Sequence, residues 1–330
     1  MNVDPGLEHP LAGPRPETSL WSENFALTFN DPARRVSMLY SIGTWYHDTS
    51  VWREMFAVTL PDGRIVVGRN FGRNTQGSVV SAALSRYEII EAGKNVALSY
   101  DGPVWNHSFQ DLMQHEAYAG KTKRLVLDLT FEAVAPVWNM HGGHGKDRTG
   151  IAGSMHIEQL GRCRGTLRLD DSELKIQDAV SCRDHSRGPR DLANYRNHCW
   201  INGVFDDGTG FHLYFFKVHH IEGAALSIAT VIRDNVHHPA TIEHVEFADG
   251  PDEFGKLHTI TLRSTLGDMK IEIKEVLSTI PTRMSAPFNP AMGIVKDPHG
   301  LMFDEAIRVE WNGTSGFGWS ERGFSKQPIA

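Results

Sequence analysis

The amino-acid sequence predicts an all-β, antiparallel protein. Three observations carry this reading: apolar residues alternate with a period of two over most of the chain, no long stretch repeats at three and four, and Asp/Gly/Pro clusters separate the alternating runs. Val36, Met38, Tyr40 and Ile42 share one face of a first strand, and Phe56, Val58 and Leu60 one face of the next. Pro61-Asp62-Gly63 then turns the chain into Ile65-Val66-Val67, a hairpin signal. Residues 81–92 and 104–114 are the best candidates for short helices. Leu125, Leu127, Leu129, Phe131 and Ala133 alternate with Val126, Asp128, Thr130 and Glu132, which gives one apolar and one mixed face.

The polar, glycine-rich stretch from His141 to Gly153 separates two strand-dense halves. After it, Thr166–Leu169 and Leu174–Ile176 flank an Asp170-Asp171-Ser172 turn, and Trp200–Phe205 and Phe211–His219 flank Asp206-Asp207-Gly208-Thr209-Gly210. Met269, Ile271 and Ile273 alternate with lysine and glutamate, and Ile307, Val309 and Trp311 close the series. An antiparallel meander or barrel fits, each sheet wet on one side.

The 330 residues carry a formal net charge of −7 and are 40% hydrophobic, which supplies a sizeable core and excludes a disordered or collagen-like chain. At roughly 100–200 residues per domain the length implies two domains, expected at 1–150 and 151–330. Lys and Arg number 33 against 40 Asp and Glu, with no basic run, which argues against a nucleic-acid partner. The first twenty residues lack the apolar stretch of a secretory signal and no apolar segment of about eighteen residues occurs, so a cytoplasmic protein without a membrane span is expected. Self-association is left open. Cys163, Cys182 and Cys199 contain no Cys-x-x-Cys pair and read as reduced, partly buried thiols.

The densest polar cluster runs from Ser181 to Asp191 and joins Arg183, Asp184, His185, Arg187 and Arg190. A carboxylic acid donates protons near neutrality only where burial raises its pKa, and histidine already titrates there, so Asp184 and His185 are candidates for acid–base work. Neighbours on a strand face opposite ways, however, and the two enter one cavity only if the backbone bends, for which Gly188-Pro189 offers a place. A structural Asp–Arg network closing a barrel end is the competing reading. Histidines group at His141/His144, His219/His220 and His237/His238, but no His-x-His or His-Glu-x-x-His spacing converges on a metal from one element, so no metal is assigned. No Walker loop, Gly-x-Ser-x-Gly elbow or complete Gly-x-Gly-x-x-Gly is present. No cofactor is expected. Of the aromatic residues beside polar neighbours, Trp200 is the best candidate for a cavity wall because it follows the cluster closely.

The run His156-Ile157-Glu158-Gln159-Leu160-Gly161-Arg162 through Gly165-Thr166-Leu167, followed by Arg183-Asp184-His185-Ser186-Arg187-Gly188-Pro189-Arg190-Asp191, resembles the C-terminal half of a large bacterial family related to carotenoid 1,2-hydratases and AttH-like proteins. Trp21-Ser22-Glu23-Asn24, Asp31-Pro32, Pro61-Asp62-Gly63, Trp311-Asn312-Gly313 and Gly316-Phe317-Gly318 extend the resemblance over nearly the whole chain. It implies two lipocalin-like antiparallel β-barrel domains in tandem with a few short helices, the second carrying the Arg-Asp-His-Ser motif. Arg187 stands where the family pattern has Trp, a departure expected to bear on what the cavity accepts. Ala179-Val180-Ser181 replaces a glycine-flanked approach.

In its hydratase branch the resemblance implies protonation of an alkene or loss of water, with the acid mapping onto Asp184. The resulting expectation is a cofactor-independent lyase acting on a hydrophobic small molecule such as an isoprenoid, steroid or lipophilic phenolic. Asp184 would move the proton, His185 would orient it or take the opposite role, and Arg183 or Arg190 would stabilise charge. Trp200, Tyr214 and Phe215 would wall the cavity, although Tyr214 and Phe215 face opposite ways; Trp105, His107 and Trp138 are further substrate-binding candidates. Two other readings stay open: a non-catalytic binder of a hydrophobic metabolite, and a metal enzyme using His141, His144 or His219.

Overall fold

The computed structural model describes residues 4–13, 15–114, 117–142, 146–147, 153–284, 291–292 and 300–328. Two closed eight-stranded antiparallel barrels account for most of them. In the first, the strands run in the order Ile65–Gly72, Asp48–Thr59, Val36–Trp45, Trp21–Asp31, Ser172–Pro189, Met155–Leu169, Thr122–Ala133 and Asn95–His107. Ile65–Val67 closes the ring against Trp105–His107. The second is a meander of eight strands from Tyr195–Phe205 to Thr314–Phe324, closed where the first pairs with the last, Asn197–Phe205 against Gly316–Phe324. Closure removes the unpaired edges that open sheets leave. No helix among the described residues is long and apolar enough to cross a membrane.

The chain enters the second ring after Pro189; within 141–153 only Lys146–Asp147 among the described residues reaches it, pairing with Leu226–Ser227. The strands Met155–Leu169 and Ser172–Pro189 are needed to complete the first ring, where Ser172–Pro189 pairs with both Met155–Leu169 and Trp21–Asp31. The Arg-Asp-His-Ser strand, expected in the second domain, therefore belongs to the first barrel. Of the expected boundary segment, residues 143–145 and 148–152 lie outside the described residues.

Short helices are present, at Pro5–Glu8, Phe109–Gln114, Met140–Gly142 and Pro251–Glu253. The helix expected over 81–92 is instead the strand Ser85–Glu91, in which Ser85, Tyr87 and Ile89 are buried while Arg86 and Ile90 are exposed. The one expected over 104–114 is a strand as far as His107. Its helical part begins at a reciprocal cap, where Ser108 N donates to Asp111 Oδ2 (2.7 Å) and Asp111 N to Ser108 Oγ (3.1 Å).

Both barrel interiors are filled. Phe25, Tyr40, Phe56, Tyr87 and Phe131 pack the first, and Ile201, Leu213, Ile260, Ile271 and Ile307 the second. A third apolar cluster forms where the barrels meet, with Leu39, Met55, Ala57, Leu160 and Cys182 from the first against Trp200, Val204, Ile280, Ala306 and Trp319 from the second. Asn30 Nδ2 crosses this seam to donate to the carbonyls of Ile307 (3.2 Å) and Gly318 (3.4 Å).

Candidate active site

From Ala179 onward the strand Ser172–Pro189 keeps one-to-one register with Met155–Cys163, and from Val180 with Trp21–Asn30. The bend that would turn Asp184 and His185 the same way does not occur, and strict alternation divides the polar cluster between two faces. Arg183, His185 and Arg187 enter the first barrel; Cys182, Asp184 and Ser186 face the second.

Inside the first barrel, Arg183 donates to Glu8 Oε2 (2.5 Å) and Gln159 Oε1 (2.9 Å). His185 Nε2 lies 3.1 Å from Glu23 Oε1, and its ring stacks on Phe25 at 3.8 Å between centroids. Arg15 also pairs with Glu23, and Arg187 Nη1 lies 3.7 Å from it. Burial of the His185 ring lowers its pKa below the ordinary histidine value despite the glutamate. The expected Asp184–His185 pairing is therefore not formed. The departure at Arg187 likewise falls on the barrel interior rather than on the cavity described next.

That cavity lies between the barrels and is narrow, with about 90 Å³ open to the centres of water molecules. Leu39, Met55, Trp200, Phe216 and Met302 supply apolar surface; Asp184, His156, Arg190, Tyr214, His198 and Glu321 supply polar groups. On the first-barrel wall, His156 Nε2 is 2.7 Å from Asp184 Oδ2 and 3.5 Å from Glu158 Oε1. Glu158 is fully buried, which pushes its carboxyl up to about 7, and Trp200 Nε1 donates to its Oε1 at 3.0 Å.

On the opposite wall, His198 Nε2 lies 2.5 Å from Glu321 Oε1 and His198 Nδ1 lies 3.1 Å from the Tyr195 hydroxyl. Burial brings His198 down to about 4, so the ring is neutral near pH 7. The pattern assigns its proton to Nε2, with Tyr195 donating to Nδ1. Burial also pushes Glu321 up to about 7 and Asp304, which hydrogen-bonds to it, well above the ordinary aspartate range. Thr282 Oγ1 (2.7 Å) and Trp319 Nε1 (3.2 Å) donate to Asp304. Two buried carboxyls in contact cannot both ionise cheaply, so this pair holds a proton near neutral pH. The cavity thus presents a hydrogen-bonded aspartate–histidine pair on one side and a proton-holding acid pair on the other.

Of the residues singled out in the sequence, Asp184, Arg190, Trp200 and Tyr214 line this cavity. Arg183 and His185 do not. Phe215, odd where Tyr214 is even, packs with the second barrel's interior and against Phe247, 5.1 Å between ring centroids. Trp105 joins the seam cluster beside Tyr118, and His107 Nε2 bonds to the carbonyl of Ala117 (2.8 Å). Trp138 stacks on His212 behind the wall. Of the histidines considered for metal, His141 is an exposed residue and His219 follows the strand Gly210–Val218; His144 lies outside the described residues. Sequence reasoning missed Glu158, His198, Asp304 and Glu321 and gave His156 no role. Their signal is a polar residue two positions from another, or from an aromatic, on one strand face: His156 with Glu158, His198 with Trp200, Trp319 with Glu321.

Three solved structures share the architecture. An AttH-type protein from Nitrosomonas europaea is similar at TM-score 0.58 and 11% identity, covering 92% of each chain. CghA is similar at TM-score 0.54 and 11% identity, over 98% of this chain and 96% of that one. Kievitone hydratase from Nectria haematococca is similar at TM-score 0.53 and 10% identity, over 93% and 89%. At these identities the likeness establishes the fold, two lipocalin-like barrels in tandem, and leaves activity to the site. No curated protein matches the chain in sequence. Residues 7–324 match one family model, and the chain belongs to that family, described as Domain of unknown function (DUF7064).

Proposed function

We propose that the chain is a cofactor-independent lyase that hydrates, dehydrates or cleaves a hydrophobic small molecule bound between the barrels. The observation that carries this reading is the pairing of two acid-bearing walls across one largely apolar cavity: Asp184 with His156 on one side, Glu321 with Asp304 on the other. In a dehydration, Asp184 takes the proton from carbon as the double bond forms. The Glu321–Asp304 pair gives its proton to the departing hydroxyl, which leaves as water, and hydration is the reverse. Arg190 and the Tyr214 hydroxyl border the same space, where they would hold developing negative charge. A hydratase and CghA share the fold, which is consistent with this chemistry.

The test is incubation with hydrophobic hydroxylated and unsaturated compounds, followed by mass spectrometry for gain or loss of one water or for cleavage products. Asp184→Asn should lower turnover by about 10²–10⁴-fold, the span of a positioned general acid or base, with binding retained. Full turnover in the folded variant would refute the assignment. The apolar lining also suits a binding protein without chemistry; unchanged ligand recovered from wild type, with Asp184→Asn binding normally, would favour that reading.

A further inference from the structure

Behind the first-barrel wall, three side chains with metal-binding atoms meet at the seam. Glu158 lies on Met155–Leu169 and Cys182 on Ser172–Pro189. The register sets Leu160 opposite Cys182 and Asp184 opposite Glu158, which makes Glu158 and Cys182 diagonal neighbours on one outer face. His212, on Gly210–Val218 of the second barrel, faces them. One ligand atom from each lies within 4.8 Å of the others.

The polar atoms here are sealed and lack the hydrogen bonds that burial demands. Both ring nitrogens of His212 and Oε2 of Glu158 have no hydrogen-bond partner, and His212 Nδ1 sits 2.8 Å from Glu158 Oε2, out of line for a hydrogen bond. Each such group costs about 1–3 kcal/mol when left unsatisfied. Glu158 Oε1, by contrast, is held by the Trp200 indole, and Trp138 stacks on the His212 ring at 5.3 Å. The carboxylate is thus anchored by one oxygen with the other free, the arrangement by which an outer group orients a metal ligand.

We propose that Glu158, Cys182 and His212 form a site for one divalent zinc-like ion that fastens the two barrels together. A thiolate and a carboxylate balance the ion's two charges, so the filled site is neutral and suited to burial. Sulfur with imidazole nitrogen favours zinc over magnesium or calcium, and three protein ligands leave one tetrahedral position open. With bonds of about 2.0–2.3 Å, ligand atoms in a filled tetrahedron stand about 3.5 Å apart, so Glu158 Oε2 and His212 Nδ1, 2.8 Å apart, spread slightly while Cys182 Sγ draws in. Because zinc binds the thiolate, binding displaces the Cys182 thiol proton. None of the three ligands lines the cavity, and the proposal does not depend on the reading of the cavity as an active site.

The probe is Co²⁺, added anaerobically to the full-length protein after dialysis against a chelator. One equivalent should bind, with visible ligand-field bands and a thiolate-to-cobalt charge-transfer band, releasing protons and raising the unfolding temperature. Cys182→Ser should abolish the charge-transfer band, whereas Cys163→Ser and Cys199→Ser keep it. Glu158→Gln should weaken cobalt binding by more than about tenfold. No stoichiometric cobalt uptake by wild type, or a charge-transfer band that survives Cys182→Ser, would overturn the site. If Cys182→Ser does not fold, the wild-type spectrum and His212→Gln decide the question in the same way, without reference to turnover.

Discussion

At the scale of single residues, the second-barrel wall carries a testable electrostatic signature. Burial pushes Glu321 from an ordinary value of 4.5 up to about 7, so the folded chain retains a proton that the unfolded chain has lost. Its contribution is fully present below pH 4.5 and is lost as the pH rises through 7. At about 1.4 kcal/mol per pKa unit, the shift is worth of order 3 kcal/mol. Glu321→Gln, which has nothing to ionise, should gain stability relative to wild type by up to about that amount between about pH 5 and pH 8. Urea denaturation across that range reads it, and parallel curves for the two proteins would refute it. The acid limb should remain, because His198, His237 and His258 are each brought down to about 4 by burial. Stability from these groups is present above pH 6.5 and lost as the pH falls through 4. In the sequence Glu321 carries only a weak signal, its place two positions from Trp319 on one strand face. A lone glutamate on an alternating strand reads as the wet face, and nothing local tells that this face meets another barrel instead of water.

At the scale of the element, the strand Ser172–Pro189 decides what the polar cluster can do. Its register with both neighbours is unbroken around Asp184, so one residue step exchanges an inter-barrel side chain for a barrel-interior one. Asp184→Asn and His185→Ala should therefore fail in opposite ways. Removing His185 takes a partner from buried Glu23 and a stacked ring from Phe25, and should cost about 3 kcal/mol while turnover of the folded protein changes little. Asp184→Asn should leave stability nearly intact and lose turnover. Loss of turnover in folded His185→Ala would place the chemistry on the barrel's interior face instead. The two-faced nature of this strand was legible from alternation alone, as was the opposition of Tyr214 and Phe215. The strand Ser85–Glu91 was not: the adjacent pair Ile89-Ile90, one buried and one exposed, blurs a period of two that Tyr87 and Ile89 otherwise keep.

At the scale of the whole molecule, strand periodicity indicated two strand-dense halves and the resemblance implied two barrels, but neither could say which strands share a ring. The first barrel must recruit Met155–Leu169 and Ser172–Pro189 to close, and that pairing joins residue 21 to residue 189 across the sequence. The consequence for function is that both barrel interiors are packed solid and the cavity belongs to the seam. Under the proposed function, closure of the seam is a condition of activity, and the seam is apolar enough to be stable: a buried Leu, Ile, Val or Met contributes about 1.5–3 kcal/mol relative to exposure, and the cluster there contains several. The two barrels should unfold in one transition, with tryptophan fluorescence and far-ultraviolet circular dichroism coinciding in urea. Ala306, fully buried in the seam, gives the means to separate them. Ala306→Glu puts an unpaired charge where no water reaches, at a cost of several kcal/mol if the seam stays shut. The cheaper response is to open it. Each ring keeps its own filled core and closed hydrogen-bonding, so the variant should retain β-sheet circular dichroism, show separate fluorescence and dichroism transitions, and lose turnover. Full turnover from a protein whose barrels demonstrably unfold apart would mean that the chemistry does not need both walls, and would return the search for the site to a single barrel.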